Sequence, residues 1–143
     1  MSEKQRLDAL IDFLPQKPPS RYVDHVLEVE FQKRVCGTVC FGAEHRIFVG
    51  HLPEEPLVPG VVIIEALAQI AGIALTGEQG APIRGYLAEA GPVRFLRTVS
   101  PDEVIRLEAE VEQAFGAFVR FAVAASVGDE AVAKGRITVA RRD

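Results

Sequence analysis

The sequence predicts an α+β fold in which mostly antiparallel strands pack against one buried helix. Two observations carry this. The run from Val61 to Leu75 is apolar around nearly its whole circumference and too long for a strand. It is preceded and followed by strand-like runs separated by turn residues.

The chain has 143 residues, the size of one compact domain, and 1–143 is read as a single unit. At its start, Leu7, Leu10, Ile11 and Leu14 recur at helical spacing, predicting a short amphipathic helix over 2–14. Pro15, Pro18 and Pro19 end it. From Tyr22 the pattern alternates, with Val23, His25, Leu27 and Val29 on one strand face and Asp24, Val26 and Glu28 on the other. Arg34–Phe41 reads as its hairpin partner. Cys36 and Cys40 there are spaced about 13 Å apart on one face, too far for a disulfide, and are expected to be half-buried thiols.

Gly42–Gly60 is irregular, with prolines 53, 56 and 59 and with His45 and His51. A loop of this length in a small domain is commonly functional. The helix follows, expected to be buried on all sides. After a turn at Thr76–Pro82, strands are predicted over Ile83–Ala90, Val93–Val99, Val104–Ala114, Phe118–Val127 and Ala131–Ala140, with hairpin turns at Gly116 and Gly128. Long strands curling around one apolar helix make the layout known as the hot-dog fold.

The net charge of −4 argues against a nucleic-acid partner. Glu65 and Gln69 inside the longest apolar stretch argue against a membrane span. No signal peptide is evident at the first residues, so a cytoplasmic location is expected.

Glu65 and Gln69 are the strongly polar side chains of the helix and, four apart, share a face. A carboxylate in such a setting must find a partner or take up a proton; a structural pairing with an arginine and a chemical role both fit. Pro59-Gly60 starts the helix with a glycine whose N–H lacks an intrahelical acceptor, a site for a carbonyl oxygen gaining negative charge. The loop just before carries His51 between Gly50 and Pro53, a candidate general base. A base, a protonated carboxyl and an oxyanion donor together suit proton abstraction beside a thioester carbonyl, followed by loss of a β-hydroxyl.

The segment from Phe48 to Gln69, Phe48-Val49-Gly50-His51-Leu52-Pro53 through Pro59-Gly60-Val61 to Glu65-Ala66-Leu67-Ala68-Gln69, resembles the signature of the 3-hydroxyacyl-[acyl carrier protein] dehydratases: G-H-F-P-x-x-P-x-x-P-G-V, then E-A-x-A-Q. Pro19, Val23-Asp24 and Val26 resemble the family's P-F-L-L-V-D-R-V stretch, and Val93–Val99 resembles its V-K-F-R-R-P-V strand. The likeness spans most of the chain. It departs at Leu52, where the family has Phe; at Gln16-Lys17-Pro18, for His-Arg-Tyr; at Ser20-Arg21-Tyr22, for Phe-Leu-Leu; and at Val99–Glu103, for V-x-P-G-D.

The resemblance implies a hot-dog homodimer, often assembled as a trimer of dimers, with His51 from one chain facing Glu65 from the other. It implies the Gly60 N–H as oxyanion donor, with Val61 and Gln69 as further substrate contacts, and no metal or organic cofactor. Glu at 65 points to dehydration without double-bond isomerisation. The substrate would arrive on acyl carrier protein, for which Arg84, Arg94 and Arg97 are candidate contacts. Two other functions suit such a fold: thioester hydrolysis, and a non-catalytic acyl-carrier or lipid-binding module.

Overall fold

The computed structural model describes residues 1–75 and 85–141. Helix α1 (Glu3–Ala9) runs on into a 3-10 turn, Leu10–Phe13. Strands β1 (His25–Glu30) and β2 (Arg34–Cys40) follow, then helix α2 (Gly60–Ala74). Four strands complete the chain: β3 (Gly85–Phe95), β4 (Val104–Phe115), β5 (Phe118–Val127) and β6 (Glu130–Arg141). They form one six-stranded antiparallel sheet in the order β1-β2-β4-β5-β6-β3. This is the predicted architecture of one central helix on an antiparallel sheet.

Alternation drives the central strands. Ile105, Leu107 and Ala109 of β4 and Val119, Phe121, Val123 and Ala125 of β5 turn inward, with exposed or half-buried residues between them. They meet Leu67, Ile70 and Ile73 of α2, all fully buried. Each such side chain contributes about 1.5–3 kcal/mol relative to exposure. The helix comes so close to β2 that a Cβ on Gly37 would collide with the Ile70 side chain and the His25 carbonyl. Gly116 and Gly128 take the left-handed conformation in the two predicted hairpin turns, with φ of 61° and 56°.

The amino-terminal helix is fastened at both ends. Ser2 and Gln5 form a reciprocal capping box. Asp8 accepts from the Val26 N–H and pairs with His25 Nδ1, each at 3.0 Å, which ties α1 to β1. Burial pushes the Asp8 pKa up, but the bonds to His25 and Val26 outweigh it and hold the carboxyl below its ordinary value.

Three expectations need correction. The strict alternation read for β1 does not hold throughout: Val26 is buried, while His25 and Leu27 are exposed. The register shifts between Val26 and Glu28 at a bulge, which lets Val29 also pack on the core. Gly91-Pro92 does not separate two strands: β3 runs through it to Phe95, and Leu96–Val99 lie outside the strand. Among the described residues strand β3 is an edge strand paired only with β6, so the missing proline N–H is tolerated. Finally, α2 is not covered on all sides, because Val61 is 75% exposed and Val62, Ile64 and Glu65 are partly so. The two cysteines are free as expected, although Cys36 is buried and Cys40 exposed.

Candidate active site

The loop before α2 is an arch on two buried anchors, Phe48 and Val58. A 3-10 turn, Arg46–Phe48, leads into it, capped by His45, whose Nδ1 accepts from the Ile47 N–H at 3.1 Å. The His51 N–H donates to the Phe48 carbonyl at 3.3 Å. Gly50 and Leu52, on either side of His51, both have positive φ, 74° and 47°. For Leu52 this conformation costs about 1–2 kcal/mol. The turns leave His51 half-buried while most of the arch around it is exposed. The Val58 N–H donates to the Val99 carbonyl at 2.8 Å and delivers the chain to the helix start.

Gly60 is the first residue of α2, after Pro59. The Phe95 ring lies against it, and an added Cβ would sit 3.0 Å from the ring's Cζ. A glycine here therefore lets an aromatic ring close on the helix start. The Gly60 and Val61 N–H groups precede the first intrahelical bonds, which run from Val62 and Ile63 to the Pro59 carbonyl.

Glu65 lies on the partly uncovered side of α2. Burial raises its pKa, against a smaller opposing pull from the Gln69 amide. It lines a narrow cavity of about 30 Å³ with Gln16, Gln69 and Tyr86 among an otherwise apolar wall. Gln69 is only 2% exposed. Its Oε1 accepts from the Tyr22 N–H at 2.7 Å and its Nε2 donates to the Ser20 carbonyl at 2.9 Å. Gln69 thus braces the segment after the prolines against α2, leaving one amide hydrogen for anything else. Gln16 also lines this cavity, although the sequence singles it out only as a departure from the family signature.

Within one chain the structure joins Glu65 and Gln69 but not His51, which neither lines this cavity nor pairs with Glu65. Among the candidate arginines, Arg97 is committed to other groups. It forms a two-pronged pair with Glu103 (3.3 and 2.7 Å) and bonds Glu130 at 3.2 Å. The Glu103 hydrogen bond raises its pKa further. Arg94 is exposed and makes no ion pair among the described residues. Arg84 lies outside the described residues. No three His, Cys, Asp or Glu side chains group as metal ligands among the described residues. No described helix is long and apolar enough to cross a membrane.

Comparison with known proteins bears on this geometry. Residues 28–136 match the family model of the ApeI-like proteins, described as ApeI dehydratase. The 3-hydroxyacyl-[acyl-carrier-protein] dehydratase FabZ of Bacillus pumilus is 36% identical over 128 residues, 89% of each chain. FabZ of a Geobacillus species is 35% identical, covering 100% of this chain and 97% of its own. Among solved structures, the dehydratase heterocomplex ApeI:P from Xenorhabdus doucetiae superposes with a TM-score of 0.75 at 18% identity, covering 94% of this chain and 91% of that one. An uncharacterized protein from Pyrococcus horikoshii gives 0.67 at 16% identity, covering 88% of each chain. These structures share the fold; the sequence relatives and the family model go further, and the chain belongs to the hot-dog dehydratase family that includes ApeI and FabZ.

Proposed function

We propose that this chain dehydrates (3R)-3-hydroxyacyl-[acyl carrier protein] to the trans-2-enoyl product, with Glu65 as acid and His51 of the partner subunit as base. The observation that carries the reading is Glu65 itself. It is a carboxyl held toward its protonated form by burial, on a helix whose first N–H groups lack intrahelical acceptors.

The steps balance without a cofactor. The thioester carbonyl accepts from the Gly60 N–H, and the helix dipole favours the charge it gains. His51 of the partner subunit removes the α-proton. The electron pair of that C–H bond forms the carbon–carbon double bond as the Cβ–O bond breaks. Glu65 protonates the departing hydroxyl, which leaves as water. The proton held by the histidine then returns to Glu65 through solvent, restoring both groups.

What one chain leaves open supports a shared site. Strand β3 ends the sheet with an edge unpaired among the described residues, and Val61, Tyr86 and Phe95 are exposed beside the Glu65 face. A second copy docked there would cover apolar surface and continue the sheet. We assign a homodimer on this ground; a trimer of dimers and a cytoplasmic location are proposed from the likeness to FabZ alone. The unit is the whole chain, 1–143. Arg94, rather than Arg97, is the available contact for an acidic carrier protein.

The test uses purified protein and 3-hydroxyacyl thioesters on carrier protein. Wild type should generate the absorbance of the enoyl thioester. His51→Ala and Glu65→Gln should each lower the rate about 10²–10⁴-fold. Full activity in both variants would overturn the assigned roles, and release of free thiol instead would mark a hydrolase.

A further inference from the structure

The segment from Phe95 to Val99 touches the start of α2 at both of its ends. The Val99 carbonyl accepts from the Val58 N–H at 2.8 Å, just before Gly60. The tip of the Phe95 ring meets Gly60 itself: a Cβ on the glycine would lie 3.0 Å from the ring's Cζ and 3.3 Å from both of its Cε atoms. Phe95 is 43% exposed and is not part of the hydrophobic core. Its backbone is nevertheless held on both sides. Phe95 pairs with Ala133 of β6, the Leu96 N–H donates to the Val132 carbonyl at 2.8 Å, and Arg97 grips Glu103 and Glu130. An aromatic side chain outside the core, on a fixed backbone and aimed at the glycine of the proposed site, has little to do with stability.

The direction of the contact matters. In a helix each Cα–Cβ bond tilts toward the N-terminus, the way the N–H groups point. A ring tip in the Cβ direction of Gly60 therefore lies beside the Gly60 N–H. Resting on the dehydratase reading above, we infer that Phe95 is a positioning residue for the thioester carbonyl. Its ring keeps water from one flank of the Gly60 N–H, so that the carbonyl oxygen is the acceptor this donor meets. The helix start stays open elsewhere, where Val61 is exposed. A donor shielded in this way binds a developing oxyanion more strongly than one shared with water, because the local dielectric is lower. It also requires no rearrangement of solvent as the charge grows. Glycine at position 60 serves the same end, since a side chain there would press on the ring.

The test compares wild type with Phe95→Leu, which withdraws the ring tip but keeps apolar bulk, and Phe95→Ala, which removes both. Sedimentation checks that each variant keeps the wild-type assembly. With a 3-hydroxyacyl thioester on carrier protein, kcat should fall about tenfold in Phe95→Leu and further in Phe95→Ala, while KM stays within about threefold of wild type. The second readout is the infrared carbonyl stretch of a bound saturated hexanoyl thioester on carrier protein, labelled with carbon-13 at its carbonyl. In wild type the Gly60 N–H should lower this stretch below its value in water, and both variants should return it toward that value. Unchanged kcat, or a lowered kcat with the stretch unmoved, would overturn the inference while leaving the dehydratase reading intact. Loss of the wild-type assembly in both variants would make Phe95 an interface residue instead and overturn it too. A wild-type protein inert toward every 3-hydroxyacyl thioester would overturn both readings.

Discussion

The two halves of α2 differ sharply. From Ala66 to Ala74 every residue is buried, and the half is held by packing against the sheet. From Gly60 to Glu65 only Ile63 is buried; Val61 stands out, and the carboxyl of Glu65 keeps a raised pKa. One helix therefore carries a fully packed half and a half that the proposed chemistry would use. The second is left incompletely covered where a substrate and a second copy of the chain would meet. The difference teaches that a high apolar content over a whole helix need not mean uniform burial in one chain.

The contrast should show first in stability. Leu67→Ala, in the buried half, should cost about 2–5 kcal/mol in denaturant unfolding. Gly60→Ala should do the opposite of what a helix propensity scale suggests. Its Cβ would press on the Phe95 ring, costing about 1–3 kcal/mol if the ring cannot move. Activity should fall with it as the N–H donor is displaced. Unchanged stability and turnover would show that the ring simply swings aside.

Glu65→Gln sharpens the comparison through pH. The folded-state pKa of Glu65 is raised, so the folded protein binds this proton more tightly than the unfolded chain. Its contribution to stability is fully present below the unfolded value, 4.5, and is lost as pH rises through the raised folded value. Removing the carboxyl should therefore make the protein relatively more stable at neutral pH than near pH 4, measured as the difference in melting temperature across a pH series. A variant destabilised equally at all pH values would deny that burial of the charge is costly. The smallest effect should come from Val61→Ser. It should alter subunit unfolding by less than about 0.5 kcal/mol yet weaken self-association in sedimentation.

Much of this was legible in residue patterns, and the limits have physical causes. The alternation of Ile105, Leu107 and Ala109 and the apolar run of α2 report burial directly, because period and hydrophobicity are local properties. The bulge in β1 is set by its partner strand, so Val26 could not be seen to face inward. Gly91-Pro92 reads as a break until β3 is known to be an edge. Arg97 looks free until Glu130 is brought to it from 33 positions along the chain. His51, Gly60 and Glu65 stand out by type and spacing. The bracing role of Gln69 depends on contacts that only folding creates.

The central claim is that each site draws His51 from one subunit and Glu65 from the other. Mixing inactive His51→Ala and Glu65→Gln proteins under conditions of subunit exchange tests it most directly. Hybrid dimers should hold one site with both native groups, so dehydration should recover to about a quarter of the wild-type rate at full exchange, by random pairing of subunits. No recovery, despite exchange shown independently with labelled subunits, would contradict the shared site.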